Sequence, residues 1–339
     1  MSVSWSDYQG VSFRRWIRAS GDLLMVLIIL TEEDQDKALE HLLRRIAIIL
    51  VPLSILSVRW FRNYGILYTP HGAPHWAGVT TGKNELGLLC AYLGVFLAWR
   101  LLKMWPKPSV WDISLFIMLL YLLWGARSST SDVVLIMGIL ILVGQRTVKG
   151  HPRRVNRLIV ASIIILLLAQ WVALNFLGES LTPLFFRATA RDPTFTGRSE
   201  LWRQLVSMGL QHPVLGAGYG SFWLSHMTQL WTQFDWGPVN GHNGYLDVFL
   251  DLGFVGLSML LLLIGQTYKK LSSTIGERRQ IWPLLIAYFV MFLAHNVTET
   301  HALKPTNFLW FLFLTLAITV KKKPGTSEQP LAQASDKGF

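Results

Sequence analysis

The sequence predicts an all-α fold: a polytopic transmembrane bundle of about nine helices, with one long extracytoplasmic loop of short helices. Three observations predict it. The chain has 339 residues, 52% hydrophobic and only 15% charged, whereas soluble proteins carry about 25% charged residues. Charge-free runs recur at 46–58, 86–99, 113–126, 133–145, 158–177, 252–268, 281–298 and 305–320. These runs are rich in Leu and lack the two-residue alternation of half-buried strands, which argues against a β-barrel. The same composition, with mean hydropathy +0.38, excludes a disordered chain. A disulfide scaffold is excluded because Cys90 is the only cysteine.

A helix needs about 20 apolar residues to cross a bilayer, and about 17 at the least. Only the 158–177 run reaches that length unaided. The others must extend into flanking polar residues, or lie inside the bundle where the membrane thins. A ninth helix is expected from about Trp16 to Leu30, carrying Arg18 and Asp22. The membrane domain spans 1–323 and holds the outer loop 178–243. Residues 324–339 form a polar tail, expected to be cytoplasmic and disordered.

Basic residues set the orientation. Arg146, Lys149, Arg153, Arg154 and Arg157 crowd one short loop, and Lys269, Lys270, Arg278 and Arg279 another. Lys321 to Lys323 close the last run. The positive-inside rule puts all three in the cytoplasm, with further cytoplasmic loops near 31–45 and 100–112. The N-terminus is then outside, although Ser2 to Gly10 has none of the features of a secretory signal. This arrangement leaves 19 basic residues inside and 12 outside.

The outer basic residues include Arg14, Arg15, Arg59, Arg62, Lys83, Arg127, Arg187, Arg191 and Arg198. Any one of them could simply snorkel to the interface. Their convergence from five separate outer segments points instead to an anion, and arginine forks suit phosphate. A lipid-linked phosphate or pyrophosphate fits, and nucleic acid is disfavoured because no soluble basic domain exists to hold it.

Several patterns carry no chemistry. Gly78-x-x-x-Gly82-Lys83-Asn84 is one residue short of a phosphate loop and ends on Asn where magnesium needs Ser or Thr. Gly216-Ala-Gly218-Tyr-Gly220 has no strand before it and reads as a tight turn. His71 and His75 flank Gly72 and Pro74, so they do not share a helix face. Asn296-Val-Thr298 has the form of a glycosylation sequon but sits at a membrane boundary. No outer Asp-x-Asp pair offers metal ligands, so no metal or cofactor is expected.

The outer loop carries RDPTFTGRSELW (191–202), GAGYGSF (216–222) and GHNGYLDVFLDLGFVG (241–256). His242 opens a membrane helix, and imidazole, with an ordinary pKa of about 6.5, can take or hold a proton near neutrality. Asp247 and Asp251 follow on one face of that helix. Ionisable groups in membrane helices are functional candidates, although hydrogen bonding to neighbouring helices is an equal alternative.

At these residues the chain resembles the O-antigen ligase and polymerase superfamily over nearly its whole length. SWSDYQGVSFRR (4–15) is similar to the family's Trp-Ser…Arg segment, and TGKNELG (81–87) to its Lys-Asn motif. RDPTFTGRSELW and HNGYLDVFLDLGFVG resemble its Arg-Asp…Thr-Gly-Arg…Trp and His-Asn signatures, and HNVTET (295–300) its last outer motif. Each is weak alone, but five in order are specific.

The resemblance implies a metal-independent glycosyltransferase of the bacterial inner membrane with its active site facing the periplasm. Such an enzyme moves a glycan from an undecaprenyl pyrophosphate carrier to an acceptor hydroxyl on a glycolipid or glycan. It implies that His242 acts as base, or as a cation on the phosphate. Arg191 and Arg198 would clamp the pyrophosphate, with Lys83 and Arg14 as weaker candidates. Asn84, Asn243, Asp247 and Glu299 would support them. A ligase acting on lipid A-core and a polymerase joining repeat units share donor and leaving group, so the motifs do not separate them. A lipid-linked sugar transporter is a third reading, disfavoured because no matching halves are visible. Family members usually carry several helices before the Trp-Ser segment. The chain is therefore expected to be a truncated product, a mis-assigned start or a short variant, and the missing half would put activity at risk.

Overall fold

The structure is a computed structural model and describes residues 2–68, 74–147, 198–234, 236–273 and 280–318. After a 3-10 turn at Ser2–Trp5 come α1 (Gln9–Thr31), α2 (Gln35–Trp60), the single turn α3 (Arg62–Gly65), and a small ribbon of β1 (Ile66–Tyr68) and β2 (Pro74–Trp76). Next are α4 (Lys83–Lys103), α5 (Val110–Ala126), α6 (Ser129–Thr147), α7 (Arg198–Gly209), α8 (Phe222–Gln233), α9 (Gly244–Ser273), α10 (Trp282–Thr298) and α11 (Phe308–Ile318). The fold is all-α apart from the ribbon, whose antiparallel register sets Leu67 opposite His75. His71, the 158–177 run and the 324–339 tail lie outside the described residues.

Among the described residues, α2, α4, α6 and α9 are long and apolar enough to cross a membrane, while α5, α10 and α11 are apolar but shorter. The charge-free runs at 46–58 and 86–99 sit inside helices that continue into polar ends, as a bilayer crossing requires. The anticipated first helix forms but starts earlier, at Gln9.

The bundle is built around α4 and α10. Both are apolar on every side, and residues 86–100 of α4 and most of α10 are buried, the pattern of an interior helix. They touch through Tyr288, whose hydroxyl donates to the Tyr92 carbonyl at 2.9 Å. α5 and α6 pack against α4, and α1 against α11. Outward faces carry Leu24, Ile28, Ile117, Leu140 and Leu262, all exposed, the chemistry of a lipid-facing surface. Exposed Trp60, Tyr64, Tyr68 and Trp124 ring one end, and Trp105 and Trp111 mark the other, as interfacial aromatics do.

That second end gathers the 31–45 and 100–112 segments. Arg100 pairs with Glu40 and donates from Nε to Asp112 Oδ2 at 2.9 Å. Lys103 reaches Glu40 at 3.0 Å, Arg146 donates to the Leu102 carbonyl, and Trp99 to the Gln280 carbonyl. Loops read from the sequence as lying on one side of the membrane thus meet at one end of the bundle.

One helix is interrupted. Gly253 has φ +63° and ψ −164°, which breaks α9. The groups freed by the break are taken up by the 213–218 turn. Ala217 N donates to Leu250 O at 3.0 Å, Gly218 N to Asp251 O at 2.8 Å, and Phe254 N to Pro213 O at 2.8 Å. The glycine motif of that turn has positive φ at Gly216, Gly218 and Gly220, so it is the tight turn read from the sequence. A Cβ on Gly218 would strike Ser6 at 2.6 Å. The N-terminal segment docks there, with Ser6, Ser12 and Ser221 hydroxyls in mutual hydrogen bonds and Trp5 Nε1 donating to Leu215 O.

Candidate functional site

Four chain segments meet at the first end of the bundle, and Glu299 is where they join. Glu299 is the C-cap of α10. Its Oε1 accepts from Asn84 Nδ2 at 3.1 Å and from Arg198 at 3.2 Å. Its Oε2 lies 3.0 Å from His242 Nδ1, and its carbonyl accepts from Gly244 N at 3.1 Å. Arg198 also donates to the Thr298 carbonyl at 2.7 Å. The side chains are 9% (Glu299), 15% (Arg198) and 17% (His242) exposed, so the cluster is desolvated but open at one edge.

Burial alone would raise the Glu299 carboxyl. The hydrogen bond and charge of His242, the Arg198 guanidinium and His295 outweigh it and hold the carboxyl at about 2. Glu299 is therefore ionised and can only accept, so His242 carries its proton on Nδ1. In the neutral ring its Nε2 is the acceptor, whereas the protonated ring is the form whose charge lowers Glu299; among the described residues Nε2 has no hydrogen-bond partner. A carboxylate that fixes the tautomer of an imidazole is the arrangement a general base needs.

The loop before α9 is held for this purpose. His242 has φ +46°, a left-handed conformation uncommon for a residue with a side chain. Its amide donates to Asn240 Oδ1 at 2.9 Å, and Trp202 Nε1 ties down the Gly241 carbonyl at 2.6 Å. Asp247 Oδ1 accepts from Gly241 N and from Trp223 Nε1, both at 3.0 Å. Asn243 caps α9 by accepting from the amides of Tyr245 and Leu246, each at 3.1 Å. Asp247 and Asn243 thus fix the backbone that carries His242. Asp251 likewise accepts from Phe222 N at 3.2 Å.

Other expected residues are placed as follows. Lys83 opens α4 beside Asn84. Arg14 is exposed, whereas Arg15, one position on, is half-buried and donates to the Gly220 carbonyl. Arg187 and Arg191 lie outside the described residues. Asn296 is fully buried, and its Oδ1 accepts from Ala302 N at 2.8 Å and His301 N at 3.2 Å, so it shapes the turn after α10. Burial, and then the charge of His295, hold His301 well below the usual histidine value against the pull of Glu299. Among the described residues no group of three or more His, Cys, Asp or Glu side chains is arranged to hold a metal.

Sequence reasoning names Arg15 only among the outer basic residues and Arg18 only as part of the first helix, and it misses Lys304; all three line a cleft of about 280 Å³ on the far side of Asp247. Lys304 lies four residues beyond the last outer motif, a position that could have been singled out. The inward turn of Arg15 depends on helix phase, which the adjacent pair Arg14-Arg15 does not reveal.

The O-antigen ligase family matches residues 113–261, a stretch that includes Arg198, His242 and Asp247 but not Lys83 or Glu299. Among curated proteins, the chain is 25% identical over 291 residues to the exopolysaccharide production protein ExoQ of Rhizobium meliloti (strain 1021), covering 82% of this chain and 64% of that protein. It therefore spans a little under two thirds of that relative's length. With the five outer motifs in order, these matches support a likeness of the chain to the O-antigen ligase/polymerase superfamily.

Proposed function

We propose that this protein is a membrane glycosyltransferase that moves a glycan from undecaprenyl pyrophosphate to an acceptor hydroxyl, on the periplasmic face of the bacterial inner membrane. The observation that carries the reading is the Glu299–His242 contact at 3.0 Å, with Arg198 on the same carboxylate. Nε2 of His242 takes the proton of the acceptor hydroxyl as its oxygen bonds to the anomeric carbon. The bond from that carbon to the pyrophosphate breaks, and the electron pair leaves with the lipid phosphate. Arg198 and Lys83, with Arg191 from the preceding loop, offset the charge that develops there. Asn84 and Glu299 hold Arg198 and His242 in register, and no metal takes part in these steps.

Two acceptors fit this chemistry. In a ligase the acceptor is a glycolipid such as lipid A-core; in a polymerase it is a second carrier-linked glycan. The likeness to an exopolysaccharide production protein favours the polymerase. A transporter would have no use for an oriented base, so the Glu299–His242 pair argues against that alternative.

The test uses the purified full chain in liposomes with a carrier-linked glycan, an acceptor and chelator. His242→Ala and His242→Gln should each lower the transfer rate about a hundred- to ten-thousandfold, with membrane insertion unchanged. Transfer at the wild-type rate by the Ala variant would remove the base from the mechanism.

A further inference from the structure

The cleft beyond Asp247 is walled by α1, the 219–227 segment, the first turns of α9 and the turn at 300–306. Its volume, about 280 Å³, is at the small end of the range for small-molecule sites, which starts near 300 Å³. Its walls are fixed to one another. Tyr219 donates from its hydroxyl to the Leu303 carbonyl at 2.8 Å, and Thr306 N donates to Asp22 at 3.1 Å. Asp247 and Thr300 line the cleft; Thr300 follows Glu299 in the chain and Asp247 accepts from Gly241 N, next to His242, so an occupant would lie beside the Glu299–His242 cluster.

The lining holds both signs of charge, and the two signs are engaged differently. Asp247 is bonded to Trp223 and Gly241, and Asp251 to the amide of Phe222. Arg15 is bonded to the Gly220 carbonyl. Arg18 of α1 and Lys304 of the 300–306 turn both line the cleft, and among the described residues neither forms an ion pair or a side-chain hydrogen bond. Lys304 feels the charges of Glu85 and Asp251 through space only. Between the two cations the walls are partly apolar, with Trp223, Met227 and Pro305. Free cations beside apolar and aromatic surface suit a ring with a hydrophobic face and an anionic substituent.

We propose that this cleft is a subsite for an acidic sugar, one bearing a carboxylate or phosphate, in the glycan being transferred or extended. The anion lies between Arg18 and Lys304, and the sugar ring lies against the aromatic wall. The glycan rests on the glycosyltransferase reading above, but the test reads binding directly. A protein that binds without transferring would sink that reading and leave this one intact.

The test compares two trisaccharides of the same linkage, one ending in glucuronate and one in glucose, binding to the purified full chain in nanodiscs at low salt. The wild type should prefer the glucuronate probe at least about tenfold, the size expected of one charge-assisted contact. The double variant Arg18→Gln/Lys304→Gln should bring that preference below twofold and leave the glucose probe unchanged. Equal binding of the two probes by the wild type would overturn the proposal. So would a preference that survives in the variant. Farnesyl pyrophosphate is the third probe: if the double substitution weakens only its binding, the cations serve the carrier's phosphates and the acidic-sugar subsite is ruled out.

Discussion

The two ends of the bundle both bury ion pairs, yet they use them in different ways. At one end Arg100 and Lys103 meet Glu40 and Asp112, two cations against two anions, linking α2, α4 and α5. At the other, the carboxylate of Glu299 holds Arg198 and His242, and its charge reaches the carboxyl of Glu85 as well. A network in which every charge is paired serves to tie helices together. One that leaves Nε2 of an oriented histidine without a partner at its edge, among the described residues, is set up to exchange a proton. Both sets are costly to desolvate, so burial alone does not distinguish a structural charge from a functional one; the unpaired nitrogen does.

The strongest way to break this comparison is Glu299→Gln. The amide keeps the shape but leaves Arg198 without its counter-charge and His242 without its anionic orienter. Transfer should fall about a hundredfold or more per folded molecule, since an orienting partner is worth about ten- to a hundredfold by itself. Wild-type turnover from this variant would mean that the two ends are alike. At the other end, Arg100→Met removes the cation that Glu40 and Asp112 share. The expected loss is about 3–5 kcal/mol of stability, read as a lower melting temperature in detergent, with transfer per folded molecule unchanged. A loss of turnover there would show that the ends are coupled.

The smallest effect is in pH dependence. The Glu299 carboxyl is held at about 2 in the fold, below its ordinary 4.5. A depressed carboxyl contributes stability that is fully present above its unfolded pKa and is lost as pH falls toward the folded one. The wild type should therefore lose melting temperature between about pH 4.5 and 2 more steeply than Glu299→Gln. Parallel curves for the two proteins would contradict the strong pairing. Near neutrality this titration contributes no pH dependence.

Much of this was legible in the sequence, for definite reasons. The apolar runs gave the helices because membrane-spanning segments must be apolar, and they fell short at the ends because the charged caps belong to the same helices. The basic loops grouped correctly because Arg100 and Arg146 follow the alternation of the spans. The motif reading put His242, Arg198, Asn84 and Glu299 in one site, which the structure brings together on one carboxylate. Their division of labour was not legible. The sequence offers Asp247 as a supporting group, with plain hydrogen bonding as an equal alternative, and cannot name its partner, the Gly241 amide, because that bond depends on how the loop folds back. Likewise, nothing local in Trp5-Ser6 indicates that it docks on Gly218, about two hundred residues away.

The break at Gly253 has a consequence for how the protein is made. A transmembrane helix can usually partition into the bilayer by itself, because its backbone bonds are internal. α9 cannot do so around Leu250–Val255, where its partners are carbonyls and amides of Pro213 to Gly218. Left alone in lipid, those groups would each cost several kcal/mol. The 213–218 turn must therefore already be on its own side of the membrane and folded back when α9 settles. Synthesis from the N-terminus supplies that order: the turn is made first, and the helix it completes follows.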